Sequence, residues 1–260
     1  METPFFHRFS LKHPQDKKII LSILRGVPPH IVLFLNYNLS LFFGNILAPV
    51  RALAIYPLMR VTRAKDISLN SNPAGIMGKV GTNTGPDGRP DTSHEFFGRK
   101  NSYIIFPNKG RLDAMRAITL LAWVFTKGEG PIFSYGVDLS VCRQSSICME
   151  IFQRGSQSGA VDRLRAPRVI NYRRWQFVGV TYEQRTGEAK IFVDRKFVAR
   201  KQLTKVLLRT NARQASMGAV GQRYFRGRIS CMQVYGHALT SLQIIRRKSR
   251  CFKGKQSLIC

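Results

Sequence analysis

Arginine is where this sequence concentrates its capacity for chemistry. Forty-two basic residues stand against 14 acidic ones over 260 positions, a net charge of +28. Four concentrations stand out. Arg163, Arg165, Arg168, Arg173 and Arg174 form the first, and Arg195, Lys196, Arg200, Lys201 and Lys205 the second. Arg209, Arg213, Arg223, Arg226 and Arg228 follow, and Arg246, Arg247, Lys248, Arg250, Lys253 and Lys255 crowd the C-terminal end. A guanidinium offers a planar fork that suits bidentate contact with sulfate, phosphate or carboxylate. So large an excess of positive charge implies acidic partners: nucleic acid, anionic lipid headgroups, or sulfated and carboxylated glycans. Charge alone does not choose among them. A solubilising surface, and for the last cluster a solvated tail, is the plainer alternative.

Bond-breaking chemistry has few candidates. Glycoside hydrolysis needs two carboxylates about 5 to 10 Å apart. Glu183 and Glu188 lie at the ends of a predicted hairpin, Asp194 in a turn, and Glu150 stands alone. The five histidines (His7, His13, His30, His94 and His237) are scattered, and His94 and His237 read as surface or edge residues. No Ser, His and Asp or Cys and His context suggests a nucleophile. The reading is a non-enzyme.

The five cysteines are Cys142, Cys148, Cys231, Cys251 and Cys260. None falls in a C-x-x-C pair and no histidine is spaced to complete a zinc site, so no structural metal is expected. They suit a secreted chain that uses disulfides. Cys142 and Cys148 either close a small loop across "RQSSI" or are two buried thiols. Cys231, in the strand-like run "RISCMQVY", and Cys251 are further disulfide candidates. Cys260 is left free or pairs with another chain.

These residues hang on short strands. From Tyr56 onward, β-like runs alternate with Gly, Pro, Asn and Asp punctuation every 8 to 12 residues or so, the pattern of an all-β sandwich or jelly roll. The stretch from Trp175 to Ala199, "WQFVGVTYEQRTGEAKIFVDRKFVA", is the clearest. Trp175, Phe177, Gly179 and Thr181 share one face, and Gln176, Val178, Val180 and Tyr182 the other. Neither face is purely polar, so the strand is expected to be covered on both sides. Turns at Gly187 and at Asp194 to Lys196 make this a three-stranded antiparallel meander. Helical periodicity is absent until "TSLQIIRRKS".

The first 54 residues differ. Gly26 to Val50 contain no Asp, Glu, Lys or Arg, basic residues precede them, and Ala52 and Ala54 form an A-x-A pattern. This fits a secretory signal. It also fits an uncleaved membrane anchor through residues 26–50, or a mistaken extension of the chain. The expected organisation is a signal or anchor over 1–54, a domain over 55–251 and a basic tail over 252–260. Removing residues 1–54 takes away six basic and two acidic residues, leaving 36 and 12, a net +24. The charge therefore belongs to the domain.

In order, the chain reads "GPDGRP…FFGRKNSYIIFPN", "ITLLAWVF", "GPIFSYG", "RRWQFVGVTYEQRTGEAKIFVDRKFVA" and "MGAVGQRYFRGRISCMQVYGHALTSLQI". This resembles a laminin-G-like, concanavalin-A-like jelly-roll domain of the extracellular type over about residues 56–251. The resemblance implies two antiparallel sheets, with Trp123 and Trp175 packing in the core between them. The family's tight turn is usually Asp-Gly or Asn-Gly; Asp194 is followed by Arg195 here, so a distorted hairpin is expected. The cysteine-bearing segment 137–152 also departs from the family. Glucanases of the superfamily carry two Glu around an Asp on one strand, and no E-x-D-x-E run occurs. Related domains often bind calcium at a rim; Asp138 with Glu150 is the candidate, but no second Asp lies close and Arg143 would oppose the ion.

The family implication joins the charge. The expected function is a non-enzymatic recognition module, extracellular or membrane-anchored. It would bind sulfated or acidic glycans, or acidic extracellular proteins, through Arg173, Arg174, Arg195, Arg200, Arg223, Arg226 and Arg228. A structural protein-interaction module and a polyanion binder (nucleic acid or microbial surface) are the alternatives. Nucleic acid is the weaker of these, for neither stacking aromatics nor a groove-reading helix is evident.

Overall fold

The structure is a computed structural model that describes residues 50–194 and 196–252. The apolar N-terminal segment, Arg195 and the tail from residue 253, with Cys260, lie outside the described residues.

Strands follow the turn punctuation of the sequence. The first five are β1 (Ala54–Tyr56), β2 (Ile76–Met77), β3 (Gly81–Asn83), β4 (Ser93–Phe97) and β5 (Ile104–Pro107). Next come β6 (Ala117–Thr126), β7 (Gly130–Ser134), β8 (Val137–Cys142), β9 (Ser146–Ile151) and β10 (Asp162–Ala166). The meander is β11 (Trp175–Glu183), β12 (Glu188–Val193) and β13 (Lys196–Gln202). β14 (Gln214–Met217), β15 (Ala219–Val220), β16 (Arg223–Tyr224), β17 (Arg226–Tyr235) and the helix α1 (Ser241–Arg247) complete the described elements. One antiparallel sheet runs β13-β12-β11-β6-β17-β4-β3, with β1 also on β17; the other runs β10-β9-β8-β7-β14-β5-β2. This is the expected two-sheet jelly-roll sandwich with a short C-terminal helix.

Alternation decides what each face of the first sheet meets. On β11, Val178, Val180 and Tyr182 lie beside Ala122, Leu120 and Ile118 of β6. These join Leu139, Val141, Ile147 and Met149 of the second sheet in the main core, where burying each large aliphatic side chain contributes about 1.5–3 kcal/mol. The opposite phase is covered too. Leu121, Phe177, Phe192 and Tyr235 pack with Leu239, Ile244 and Cys251 in a second cluster under α1. Both phases of β11 are therefore buried, as its lack of a polar face implies. Thr240 starts α1 with a capping box to Gln243, and Arg246 and Arg247 in the last turn complement the helix dipole.

Two expectations change, and the distorted hairpin is found with its distortion displaced from the turn. Trp123 and Trp175 do not pack between the sheets. They fall on the outer phase, Trp123 beside Phe177 and Trp175 beside Phe125, while the inner phase takes smaller side chains such as Ala122 and Val178. Each indole is half-buried, and Trp123 satisfies its ring N–H by donating to the Lys248 carbonyl at 2.8 Å. His94 is not a surface residue but 1 % exposed, on the same phase of β4 as the core residue Phe96. Burial pushes its imidazole below the usual histidine range. The Asp194 turn keeps its two-residue length, with Val193 opposite Lys196 and Asp194 at a φ of 57°. The distortion sits further along, where Phe192 pairs with Phe197 but Ile191 with Ala199, so that Val198 bulges.

Segment 137–152 is a regular hairpin, with Ser140 opposite Cys148 and Cys142 opposite Ser146. A Cys142–Cys148 disulfide staples it, and Cys231–Cys251 ties β17 to the residues after α1.

Candidate functional site

The exposed end of the first sheet's outer face carries the candidate site. Side chains there stand in rows across neighbouring strands, because antiparallel partners lie side by side and every second residue shares a face. One row is Trp175 of β11, Phe125 of β6, Arg228 of β17 and Glu95 of β4. Its rings are 5.6 Å apart between Trp175 and Phe125. The Arg228 guanidinium lies 4.7 Å from the centre of Phe125, so an aromatic face holds the cation in place. The next row outward contains Arg226, which pairs with Phe97 on β4. On its other side Lys127 donates its backbone N–H to the Arg226 carbonyl at 2.9 Å. Arg173 ends the row, its N–H bonded to the Thr126 carbonyl at 2.8 Å, with exposed Arg174 following.

Glycines make room for this arrangement. A side chain at Gly98 or Gly128 would bring a Cβ within 3.2 or 3.4 Å of the Arg226 side chain. Gly227, between the two arginines, has a φ of 153°, and a Cβ there would lie 2.3 Å from the Phe125 carbonyl oxygen. The bare backbone lets β17 lie close against β6 while its arginines stand outward.

Two acids lie at this end, Glu95 on β4 and exposed Glu129 two residues beyond Lys127. Burial would raise the Glu95 carboxyl, but hydrogen bonds from Lys127 and Asn83 outweigh that and hold it below the usual range. Lys127 meets it at 2.5 Å. Arg173, Arg174, Arg226 and Arg228 are in no ion pair among the described residues. Arg173, Arg174 and Arg226 are exposed, whereas Arg228 is half-buried and donates to the Thr84 carbonyl.

Of the seven arginines singled out by sequence, the structure puts Arg173, Arg226 and Arg228 on neighbouring rows, and Arg174 follows in the turn before β11. Arg200 sits on β13, three two-residue steps away along the strands, roughly 20 Å, and is paired with Glu188 at 2.7 Å. Arg223 turns to the second sheet, where it meets Asp138 at 2.9 Å. Arg195 lies outside the described residues. Lys127, isolated in "TKGEG", belongs to the site and was missed; its phase, two residues beyond Phe125, was the available signal.

The calcium candidate is otherwise engaged. Asp138 is 1 % exposed and accepts from Ser134 as well as Arg223. Burial raises its carboxyl, and those two contacts offset this only in part. Among the described residues no cluster of three His, Cys, Asp or Glu side chains is placed to hold a metal. Glu183 and Glu188 face each other across the β11–β12 hairpin, but Lys190 and Arg200 hold Glu188.

A laminin G family model, described as the concanavalin A-like lectin/glucanases superfamily, matches residues 97–245. The chain belongs to this superfamily. No curated relative matches it in sequence. Among solved structures, the binding domain of Paraclostridial Mosquitocidal Protein 1 superposes with a TM-score of 0.61 at 13 % identity, over 75 % of this chain and 51 % of that one. The binding domain of botulinum neurotoxin DC, in complex with rat synaptotagmin II, gives 0.59 at 10 % identity, covering 78 % and 52 %. A botulinum neurotoxin type C structure, described by dependence of cell entry on two ganglioside molecules, gives 0.58 at 11 %, covering 78 % and 52 %. The laminin G-like chain thus spans about half the length of these neighbours and shares their fold.

Proposed function

We propose that this laminin G-like domain is a non-enzymatic extracellular recognition module that binds acidic, sulfated glycans through Arg173, Arg174, Lys127, Arg226 and Arg228. The observation that carries the reading is that three separate stretches of sequence meet at one sheet end: Arg226 and Arg228 on β17, Lys127 just after β6 and Arg173 in the turn before β11, with Glu95 on β4 paired to Lys127. Arginine forks suit sulfate and carboxylate groups, and a cation stacked on Phe125 loses little freedom when it binds. Two disulfides fit an oxidising compartment, and the segment before residue 50 would supply the export signal or anchor; the expected boundary at 54 moves back, because Ala52 and Ala54 are buried in the domain and Ala54 pairs with Val234. The tail from residue 252 would add diffuse positive charge. Neighbours of the same fold are described with gangliosides, which supports an acidic glycan, and with synaptotagmin, which keeps a protein as the alternative partner. Carboxylates held by cations in place of an open pair support the absence of catalysis.

Calorimetric titration of the full chain with a heparin-derived hexasaccharide tests this. The double reversal Lys127→Glu/Arg226→Glu should weaken binding at least about tenfold, since hydrogen bonds between charged groups contribute about 1.5–3 kcal/mol. Arg200→Glu should change it little. Equal losses from both would reduce the site to diffuse charge.

A further inference from the structure

One two-residue step inward along β6 from the Phe125–Arg228 row, Trp123 opens onto a cleft of about 240 Å³ between the Pro86–Asp87 loop and the end of α1. Pro86, Trp123 and Phe252 give it apolar lining; Asp87, Lys248 and Ser249 give it polar groups. The indole is fixed, its N–H on the Lys248 carbonyl and its ring 5.5 Å from Phe177. The Lys248 ammonium stands 4.6 Å from the ring centre.

Resting on the glycan reading above, we infer that this cleft seats one pyranose ring of the same acidic oligosaccharide whose charged groups lie on Arg226, Arg228 and Lys127. An aromatic face attracts the axial C–H groups of a sugar ring, by burial and by their slight positive charge. The Asp87 carboxylate is held by Arg89 at 2.6 Å and by Thr92, and its Oδ2 keeps one lone pair for a ring hydroxyl; Lys248, 4.0 Å from Asp194, donates to a carboxylate or sulfate. A purely apolar ligand would cover both charges without replacing their water. A polyhydroxylated ring keeps both bonded while covering Trp123. Successive outer-face rows are roughly 6.7 Å apart, so a short oligosaccharide reaches from Trp123 to the cations of the next two rows.

The chain contains two Trp residues, so its indole N–H signals in a nitrogen-15 spectrum are assigned by one Trp175→Phe variant. The full chain is then titrated with a heparin-derived tetrasaccharide and, separately, with polyphosphate, a polyanion with no ring. The tetrasaccharide should move the Trp123 signal and polyphosphate should leave it in place. Asp87→Asn is the sharper variant. It removes a negative charge, so diffuse electrostatics would tighten tetrasaccharide binding, whereas a ring bonded to Asp87 requires about fivefold weaker binding. Polyphosphate affinity should not fall in that variant. Phe252→Ala should likewise weaken only the tetrasaccharide. Binding with an unmoved Trp123 signal, or tighter binding by Asp87→Asn, would overturn the cleft and leave the arginine site standing. Equal movement by polyphosphate would also overturn it. No tetrasaccharide binding at all would remove both proposals.

Discussion

Removing the Cys231–Cys251 disulfide should loosen the cover over Trp123 as well as the whole fold. Cys231 is buried on the outer phase of β17, and Cys251 follows α1, whose Ile244 packs in the same cluster. The bridge spans 20 residues of sequence, the Cys142–Cys148 bridge six. In the loop-entropy account these separations correspond to about 3 and about 2 kcal/mol. A domain of this size loses about 2–4 °C of Tm per kcal/mol. Cys231→Ala/Cys251→Ala should therefore lower Tm by about 6–12 °C, and Cys142→Ala/Cys148→Ala by about 4–8 °C. The second bridge joins strands already adjacent in a local hairpin, which makes its smaller value the firmer of the two. Calorimetry of the three full chains measures the ordering, and acrylamide quenching of Trp fluorescence reports the cover. Quenching should rise for the first variant only. Equal or reversed losses, or unchanged quenching, would show that Leu239 and Ile244 dock the helix without the bridge.

The remaining predictions concern stability. Burial lowers the His94 imidazole, so the unfolded chain binds its proton first as pH falls below about 6.5. Stability at that site is present at neutral pH and lost on acidification, by about 1.4 kcal/mol per pH unit between the unfolded and folded values; urea midpoints from pH 7 to 5 should fall less steeply in His94→Gln. Gly227→Ala places a Cβ 2.3 Å from a carbonyl oxygen and should cost at least about 2 kcal/mol in chemical denaturation. Arg223→Ala leaves the buried Asp138 carboxylate without its cation and should cost about 1–3 kcal/mol, with Asp138→Asn restoring most of it in the double variant.

The strands, the meander and the sandwich were legible because period-two alternation and turn residues are local signals. Which phase of β6 and β11 faces the partner sheet was not, since both phases are apolar and the second is sealed by a helix some 60 residues further along than β11. That ambiguity misplaced Trp123 and Trp175. His94 was misread because its neighbours Glu95 and Phe97 are outward and it is the inward partner of Phe96. Basic clusters counted along the sequence are not clusters in space. Arg226 and Arg228 stay together because they share a strand phase, whereas Arg223, three residues earlier, belongs to another hairpin and another acid. Lys127 shares the phase of Phe125, but only the long-range pairing of β6 with β17 puts it beside Arg226. Arg200 was withdrawn from the site by Glu188 across the β12–β13 pair, again a long-range partner.

The central claim is that the arginines form a shaped site and not a diffuse charge. It is tested most directly by eluting the full chain, under oxidising conditions, from immobilised heparin and from a plain sulfonate resin of matched charge density. The account predicts release from heparin at clearly higher salt, with the difference abolished in Lys127→Glu/Arg226→Glu. Release from both resins at the same salt would contradict it and direct attention to a protein partner.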